Sequence, residues 1–472
     1  MRKIQYAVIG SAIGLLAGCS LAPVYVRPDA PVASVFVGDA CGAAHAATDT
    51  GWREFFPDQR LQRLIASALE NNRDLRIATL RIEEARALYN VQSADLLPNL
   101  NGTANGVRTR NPSSLVIPGR SPTSSVYQVG FSLAAFELDF FGRVRSLNDA
   151  ALAAYLATAE AKNSAQISLI GEVAKAYLAE RGFAEQLALA QSTLEGRQKA
   201  YGLAKQRYDV GASSALDLRL SETLVQSARV AQLTLQRQRA QADNALTLLV
   251  GQPSINLPTA TALSSESVVS AIPAGVPSDL LNNRPDIRAA ELRLKSANAN
   301  IGAARAAFFP RISLTAFAGT ASNALAGLFD AGSGSWSFAP QLVLPIFDAG
   351  RNRSNLTLAE VRTNLAVADY EKTIQTAFRE VSDALVARSS LDQQVAAQQA
   401  VVDAQTARLE LAGQRFQNGI ANALDVVDAQ RDLFAAQQTL VQTRVQRLTN
   451  AVDLYRALGG GLKETSAAKA AS

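Results

Sequence analysis

Gln414–Asp425 reads QRFQNGIANALD and Gln206–Asp217 reads QRYDVGASSALD, one loop written twice, 208 residues apart and without a gap. In each copy a glycine stands where a helix must stop and reverse, and glycine tolerates the positive φ of such a stop. Ser214-x-x-Asp217 and Asn422-x-x-Asp425 then restart a helix in a capping-box-like pattern. Gly211, Asp217 and Gly419 therefore mark the tips of two α-hairpins.

The arms of those hairpins are long. No proline occurs between Pro122 and Pro253 or after Pro345, and apolar residues recur at Leu358, Val361, Leu365 and at Ile374, Phe378, Val381, Leu385. Val144 to about Asp209 predicts a rod of roughly 100 Å at ~1.5 Å per residue. The returning helices end near Gly251 and Gly459. Upstream the duplication continues. SADLLPNL (93–100) matches RAAFFPRI (305–312), and FGRVRS (141–146) matches AGRNRS (349–354). These align Pro98 with Pro310, Gly142 with Gly350 and Arg143 with Arg351. Each repeat reads short helix, Pro, polar–apolar segment, Gly-Arg corner, very long helix, Gly loop, long helix. That is two halves of one architecture, not a solenoid of short repeats.

The segments between Pro and Gly-Arg change period. In Ser125–Ala135 the odd positions Tyr127, Val129, Phe131 and Leu133 are apolar and the even ones small or polar. In Ser335–Leu344 the apolar set is Trp336, Phe338, Leu342 and Leu344. Alternation over about ten residues suits a tilted strand crossing an outer membrane, which makes Tyr127, Phe131, Trp336 and Phe338 candidates to face lipid. Partner strands are expected near Leu100–Thr109 and Arg311–Thr320, less cleanly alternating. Four strands cannot close a barrel, since transmembrane barrels begin at about eight, and open edges are not tolerated in lipid. If these strands span, several chains share one barrel; otherwise they are surface hairpins on a periplasmic protein.

The amino terminus, MRKIQYAVIGSAIGLLAGCS, has Arg2 and Lys3, an apolar run from Ala7 to Leu16, and small residues before Cys19. This is a secretory signal, too short for a membrane span of ~20 residues. The small residues before Cys19 resemble a bacterial lipobox, which makes Cys19 the lipidated first residue of the mature chain. A plain signal peptide with an incidental cysteine is the alternative. Ser20, rather than Asp, resembles an outer-membrane sorting choice.

Composition removes other classes. Of 472 residues, one is His and two are Cys, so metal and thiol chemistry have little to work with: His45 stands alone and Cys41 has no second cysteine if Cys19 is lipidated. Nothing resembles an enzyme site, a cofactor loop or a metal set. The formal charge of +5 is spread among interspersed acids and bases, without the basic stripe that nucleic acid requires. Hydrophobic residues make up 48% and aromatics only 6%, which favours helices packed through small residues.

FELDFFGR (136–143), NNRPDIRAAE (282–291), FFPRISLTA (308–316), PIFDAGR (345–351) and NALDVVDAQRDLF (422–434) together resemble the TolC-like outer-membrane efflux channels, in their lipoprotein branch of NodT and OprM type. The resemblance runs from about Trp52 to Gly460. It implies a mostly α chain with a membrane β-barrel: two tandem repeats, each a β-hairpin plus a long α-hairpin. Three chains would form a twelve-stranded barrel continued by a twelve-helix α-barrel reaching through the periplasm. It implies a homotrimer set in outer-membrane lipid, a periplasmic adaptor and an inner-membrane pump, of resistance-nodulation-division type, and a passive duct for small drug-like or toxic molecules. A type I protein-secretion duct and a coiled-coil envelope lipoprotein are the alternatives.

Carried over by motif, the periplasmic constriction is Leu424, Asp425 and Asp428, with Arg431 one helical step on. Asp425 has a repeat counterpart in Asp217, so helix capping explains both, and a gating role for Asp425 alone is the competing reading. Asp428 and Arg431 correspond to Leu220 and Thr223, and an exposed i,i+3 ion pair is their plain alternative. A basic locking residue of some relatives is replaced here by Ala421.

The expected boundaries are a signal peptide at 1–18, an extended segment at 19–60, a helix at 61–98, a membrane hairpin at 99–141 and an α-hairpin at 142–251. The second repeat follows a linker at 252–284, with a helix at 285–309, a membrane hairpin at 310–347, an α-hairpin at 348–459 and a flexible tail at 460–472.

Overall fold

The computed structural model describes residues 20–33, 36, 50–112, 114, 116–117, 119, 121–253, 257–259, 263, 268–269 and 277–465. Cys19, Cys41 and His45 lie outside them. The first repeat comprises α1 (Trp52–Phe55), α2 (Gln59–Asn71), α3 (Arg73–Ala94), β1 (Leu100–Arg110), β2 (Thr123–Leu138), α4 (Arg143–Asp209) and α5 (Ala215–Val250). The second comprises α6 (Pro277–Asn283), α7 (Pro285–Ala306), β3 (Arg311–Ser322), β4 (Gly334–Val343), α8 (Arg351–Gln417) and α9 (Ala423–Ala457). Both α4 and α8 run for 67 residues. Among the described residues no helix is long and apolar enough to cross a membrane.

The chain divides into two units, and α4 and α8 contribute to both. The first unit (Met1–Asp29, Arg81–Ala159 and Ala289–Tyr370) holds the sheet, antiparallel in the order β1-β2-β3-β4. The pairing of β2 with β3 joins the two repeats. At its centre Gly130 sits opposite Gly319, and a Cβ on Gly130 would fall 2.6 Å from the Gly319 Cα, so neither position has room for a side chain. A bulge at Ala134–Ala135 shifts the register between Leu133 and Phe136, with Ala135 at φ +47° and its N–H donated to Thr315 Oγ1 at 3.3 Å.

Both sheet-to-helix corners turn on glycine, Gly142 at φ +74° and Gly350 at φ +85°. Acid side chains then take the first amides of the long helices. Asp139 accepts from Arg145 N at 2.8 Å, and Asp348 from Gly350 N at 3.0 Å and Asn352 N at 2.9 Å. The backbone bonds from Asn352 and Gly350 hold the Asp348 carboxyl below the usual carboxylate range.

The amino-terminal residues lie as an extended strap on α7. Ala22 packs where a Cβ on Gly302 would stand, and Asn298 Nδ2 donates to Pro23 O at 2.8 Å. Glu291, 5% exposed, accepts from Arg27 at 2.6 and 3.2 Å and from Tyr25 Oη at 3.3 Å, with Lys295 Nζ 3.1 Å away.

The second unit (Ala30–Leu80, Glu160–Arg288 and Glu371–Ser472) is helical. Leu187 and Ala190 on α4 pack with Leu235 on α5, and Val402 on α8 with Ala436 and Leu440 on α9. Arg239–Glu180 (2.9 Å) ties α5 to α4, and Lys175–Asp453 (2.9 Å) ties α4 to α9. Small residues let these rods approach: a Cβ on Gly182 would meet Val445 Cγ2 at 2.6 Å. An aromatic cluster joins residues 50–56 to the end of α9. Phe55 stacks on Tyr455 at 4.0 Å, Phe56 meets Phe55 edge-on at 4.6 Å, and Tyr455 Oη donates to Thr50 O at 2.8 Å.

Four expected segments differ. The segment expected to be extended over 19–60 contains α1, and the linker expected over 252–284 contains α6. The single helix over 61–98 is two helices broken at Asn72, whose carbonyl Oδ1 accepts from Leu75 N (2.9 Å) while its Nδ2 donates to Leu249 O (2.8 Å). A side chain with polar ends in both directions stabilises a break that helix periodicity does not signal. Residues 460–465, expected to belong to a flexible tail, are held: Trp52 N donates to Lys463 O at 3.0 Å and Arg53 Nε to Glu464 at 2.6 Å. Pairing with a segment some 400 residues away is invisible to local composition.

Candidate functional site

Two places concentrate the residues singled out by sequence: the tips of the α-hairpins in the second unit and one face of the sheet in the first. At the tips Gly211 and Gly419 adopt φ +74° and +73°. At the first tip the capping box is complete: Ser214 Oγ accepts from Asp217 N at 3.2 Å, and the Asp217 carboxylate accepts from Ser214 N at 3.3 Å and from its hydroxyl at 2.8 Å. At the second tip only half of it exists. Asn422 Oδ1 accepts from Asp425 N at 3.0 Å, and the Asp425 carboxylate has no hydrogen bond or ion pair among the described residues.

Asp428 and Arg431 do come together, at 3.0 Å. They belong to a larger network that sequence reasoning missed. Arg431 also reaches Asp432 at 3.1 Å, and Asp432 holds Arg408 of α8 at 2.7 Å. Hydrogen bonds from Arg408, then Arg431, hold the Asp432 carboxyl below the usual range. The repeat itself carried the signal: Arg408, Asp428, Arg431 and Asp432 align with Ala200, Leu220, Thr223 and Leu224 of the first hairpin. Leu424 and its neighbour Ile420 are exposed, as are Leu216 and Val210 at the first tip. The tips are neighbours, for Arg207 at the end of α4 lies 5.8 Å from the ring of Phe416 at the end of α8.

On the sheet, opposed residues share a face. The register Gly102–Phe131–Ala318–Trp336 therefore places Phe131 and Trp336 on one side, and Leu100–Leu133–Ala316–Phe338 adds Phe338. Tyr127 joins them, its ring 3.2 Å from where a Cβ on Gly106 would be. Beyond the bulge Phe136 and Leu138 return to that side opposite Leu314 and Ile312. The other face carries Asn101, Thr103, Asn105, Gln128, Ser132, Ser313, Thr315 and Gln341, with Val107, Val126, Phe317 and Val343 among them, and is mostly polar. Strands β1 and β4 are free edges.

At the foot of the sheet Glu137, on the polar face, accepts both arms of Arg143 (2.8 and 2.7 Å) and lies 2.7 Å from Arg311. This hub and the flanking Phe141–Phe309 stack (4.8 Å) border a cavity of about 360 Å³ at the corners. Among the described residues no three His, Cys, Asp or Glu side chains converge to hold a metal.

Comparison with known proteins yields one family. Its model, described as outer membrane efflux protein, matches twice, over residues 64–252 and 276–460, once on each repeat. The chain is 48% identical over 468 residues to outer membrane protein OprJ of Pseudomonas aeruginosa, covering 98% of each. It is 49% identical over 459 residues to the toluene efflux pump outer membrane protein TtgI of Pseudomonas putida, covering 95% of this chain and 97% of that one. Superposition on the open state of the Neisseria gonorrhoeae MtrE outer membrane channel gives a TM-score of 0.88 at 42% identity, covering 95% of this chain and 100% of that one.

Proposed function

The chain belongs to the outer membrane efflux protein family and is an outer-membrane efflux channel, and we propose that three copies of it close one passive duct for small molecules. The observation that carries this reading is a four-stranded sheet with one apolar face, one mostly polar face and two unpaired edges. Lipid excludes unpaired backbone, and four strands fall short of any closed barrel. Neighbouring chains supply the missing pairs, β1 of one against β4 of the next. Tyr127, Phe131, Trp336 and Phe338 then face lipid, and the Asn, Thr, Ser and Gln side chains line the lumen, with Glu137 and its arginine partners at its foot. Acylation at Cys19 anchors the mature chain; at about 0.8 kcal/mol per buried CH2, a multiply acylated cysteine holds firmly.

The helical hairpins form the periplasmic entrance, served by an adaptor and an inner-membrane pump of resistance-nodulation-division type. The pump selects the cargo. Relatives named for toluene efflux point to small apolar toxic compounds, and a lumen whose fixed charges are ion-paired with one another at its foot suits neutral molecules. Leu424, Asp425 and Asp428 would form the constriction, where three copies bring like carboxylates toward one axis and favour cations at the mouth.

The test is planar-bilayer conductance of the purified protein beside an Asp425→Ala/Asp428→Ala double variant. Small, rare steps that enlarge in the variant are expected. Equal conductance in both moves the gate elsewhere, and silence from both refutes the duct.

A further inference from the structure

The first β-hairpin is cationic at one end only. Between Leu100 and Phe136 the sequence contains no Asp, Glu or Lys, while Arg108 and Arg110 stand at the loop end of β1. Just beyond them the hairpin closes through Asn111 N to Pro122 O at 2.8 Å. In register Arg108 opposes Ser125 and Arg110 opposes Thr123. By strand parity both therefore belong to the apolar face, in line with Leu100 and with Tyr127 opposite Gly106.

Both guanidiniums are exposed, and neither has an ion pair, hydrogen bond or ring contact among the described residues. Arginines near the foot of the sheet and on the strap are placed differently. Arg143 and Arg311 share Glu137, Arg145 takes Asp139, and Arg27 takes Glu291. Each of those arginines has a carboxylate within reach, whereas the hairpin that carries Arg108 and Arg110 supplies none. Two exposed guanidiniums without a partner in the chain, on a face otherwise suited to lipid, are open to an anion from outside it.

Geometry narrows that anion. Alternate residues of a strand stand about 7 Å apart on one side, so the two planar forks form a short row that fits phosphate oxygens bidentately. We propose that Arg108 and Arg110 form a lipid-facing site for the phosphates of outer-leaflet lipid headgroups, clasping the rim of the barrel to the membrane surface. The proposal rests on the channel reading, which puts the loop end of this hairpin at the outer leaflet. It also accounts for the pair lying on the lipid side rather than in the lumen, where cationic side chains would act on cargo.

The experiment uses full-length purified trimer in a neutral detergent, titrated with diphosphorylated lipid A and followed by native mass spectrometry. Phosphatidylcholine and inorganic phosphate serve as parallel probes. The variants are Arg108→Gln/Arg110→Gln and the charge-keeping Arg108→Lys/Arg110→Lys. Lipid A binding is expected to weaken about 30-fold in the Gln pair, at roughly fivefold per cation near an anionic surface, and to persist in the Lys pair. Phosphatidylcholine binding and conductance should be the same in all three. Wild-type lipid A affinity in the Gln pair overturns the site. So does loss of the trimer in that variant, which would assign the arginines to the seam between chains. Inorganic phosphate alone bound as tightly as lipid A overturns the lipid source. A Gln-pair trimer that conducts but binds lipid A normally defeats only this inference, whereas wild-type protein that neither trimerises nor conducts defeats the channel.

Discussion

Asp217 and Asp425 occupy the same repeat position, but only the Asp217 carboxylate has a partner among the described residues. Asp217 closes its own capping box, whereas Asp425 lends only its backbone N–H to Asn422. Asp428 is paired with Arg431 at 3.0 Å. Asp425→Asn should therefore lower cation preference more than Asp428→Asn, read as reversal potential across a KCl gradient. Neither should alter stability by more than ~0.5 kcal/mol, as exposed charges of this kind contribute little. Glu291 makes a second residue-scale prediction. Burial pushes its carboxyl up, but the bonds from Arg27 and Lys295 outweigh burial and hold it below its ordinary value of 4.5. A carboxyl lowered by folding adds stability above that ordinary value and loses it as pH falls through the folded one. A spin label on Val24→Cys should be immobile at neutral pH and loosen only below about pH 4.5. Glu291→Gln should loosen it at neutral pH, and a label indifferent to both changes would dissociate the strap from Glu291. Sequence marked Gly211, Gly419 and the Asp428–Arg431 pair because each follows from spacing within one helix or loop. It missed Arg408 and Asp432, which meet across 24 residues and depend on how α8 packs on α9.

The elements divide in the same way. Alternation identified β2 as far as Leu133, since period two is a property of the strand alone. The bulge that follows was not legible, because it exists only in the pairing of β2 with β3, where Thr315 takes the Ala135 N–H. Gly130 and Gly319 read as ordinary strand glycines until the register sets them opposite each other. Gly319→Val should push the seam between the repeats apart, with a loss of about 1–3 kcal/mol, the usual range for overpacking. The readout is the melting temperature of the sheet signal in far-ultraviolet circular dichroism. The same substitution at Gly102, which has open space around it, should be far milder.

At the scale of the molecule the free edges of β1 and β4 set the requirement for partners. Light scattering of the purified protein in detergent should give the mass of three chains, and a monomer that conducts would contradict a shared barrel. The duplication, the long rods, the hairpin tips, the alternating strands and the family are all legible in the amino-acid order, because each is written in local spacing or in the offset between copies. So is the inability of the strands to close alone. Packing in three dimensions was needed to show that β2 and β3 join the repeats and that one apolar face runs across all four strands. It was needed as well to show that the strap docks on α7 through Glu291 and that residues 460–465 are held against α1. Those facts depend on groups brought together from distant parts of the chain, and no local period or composition encodes which of them will meet.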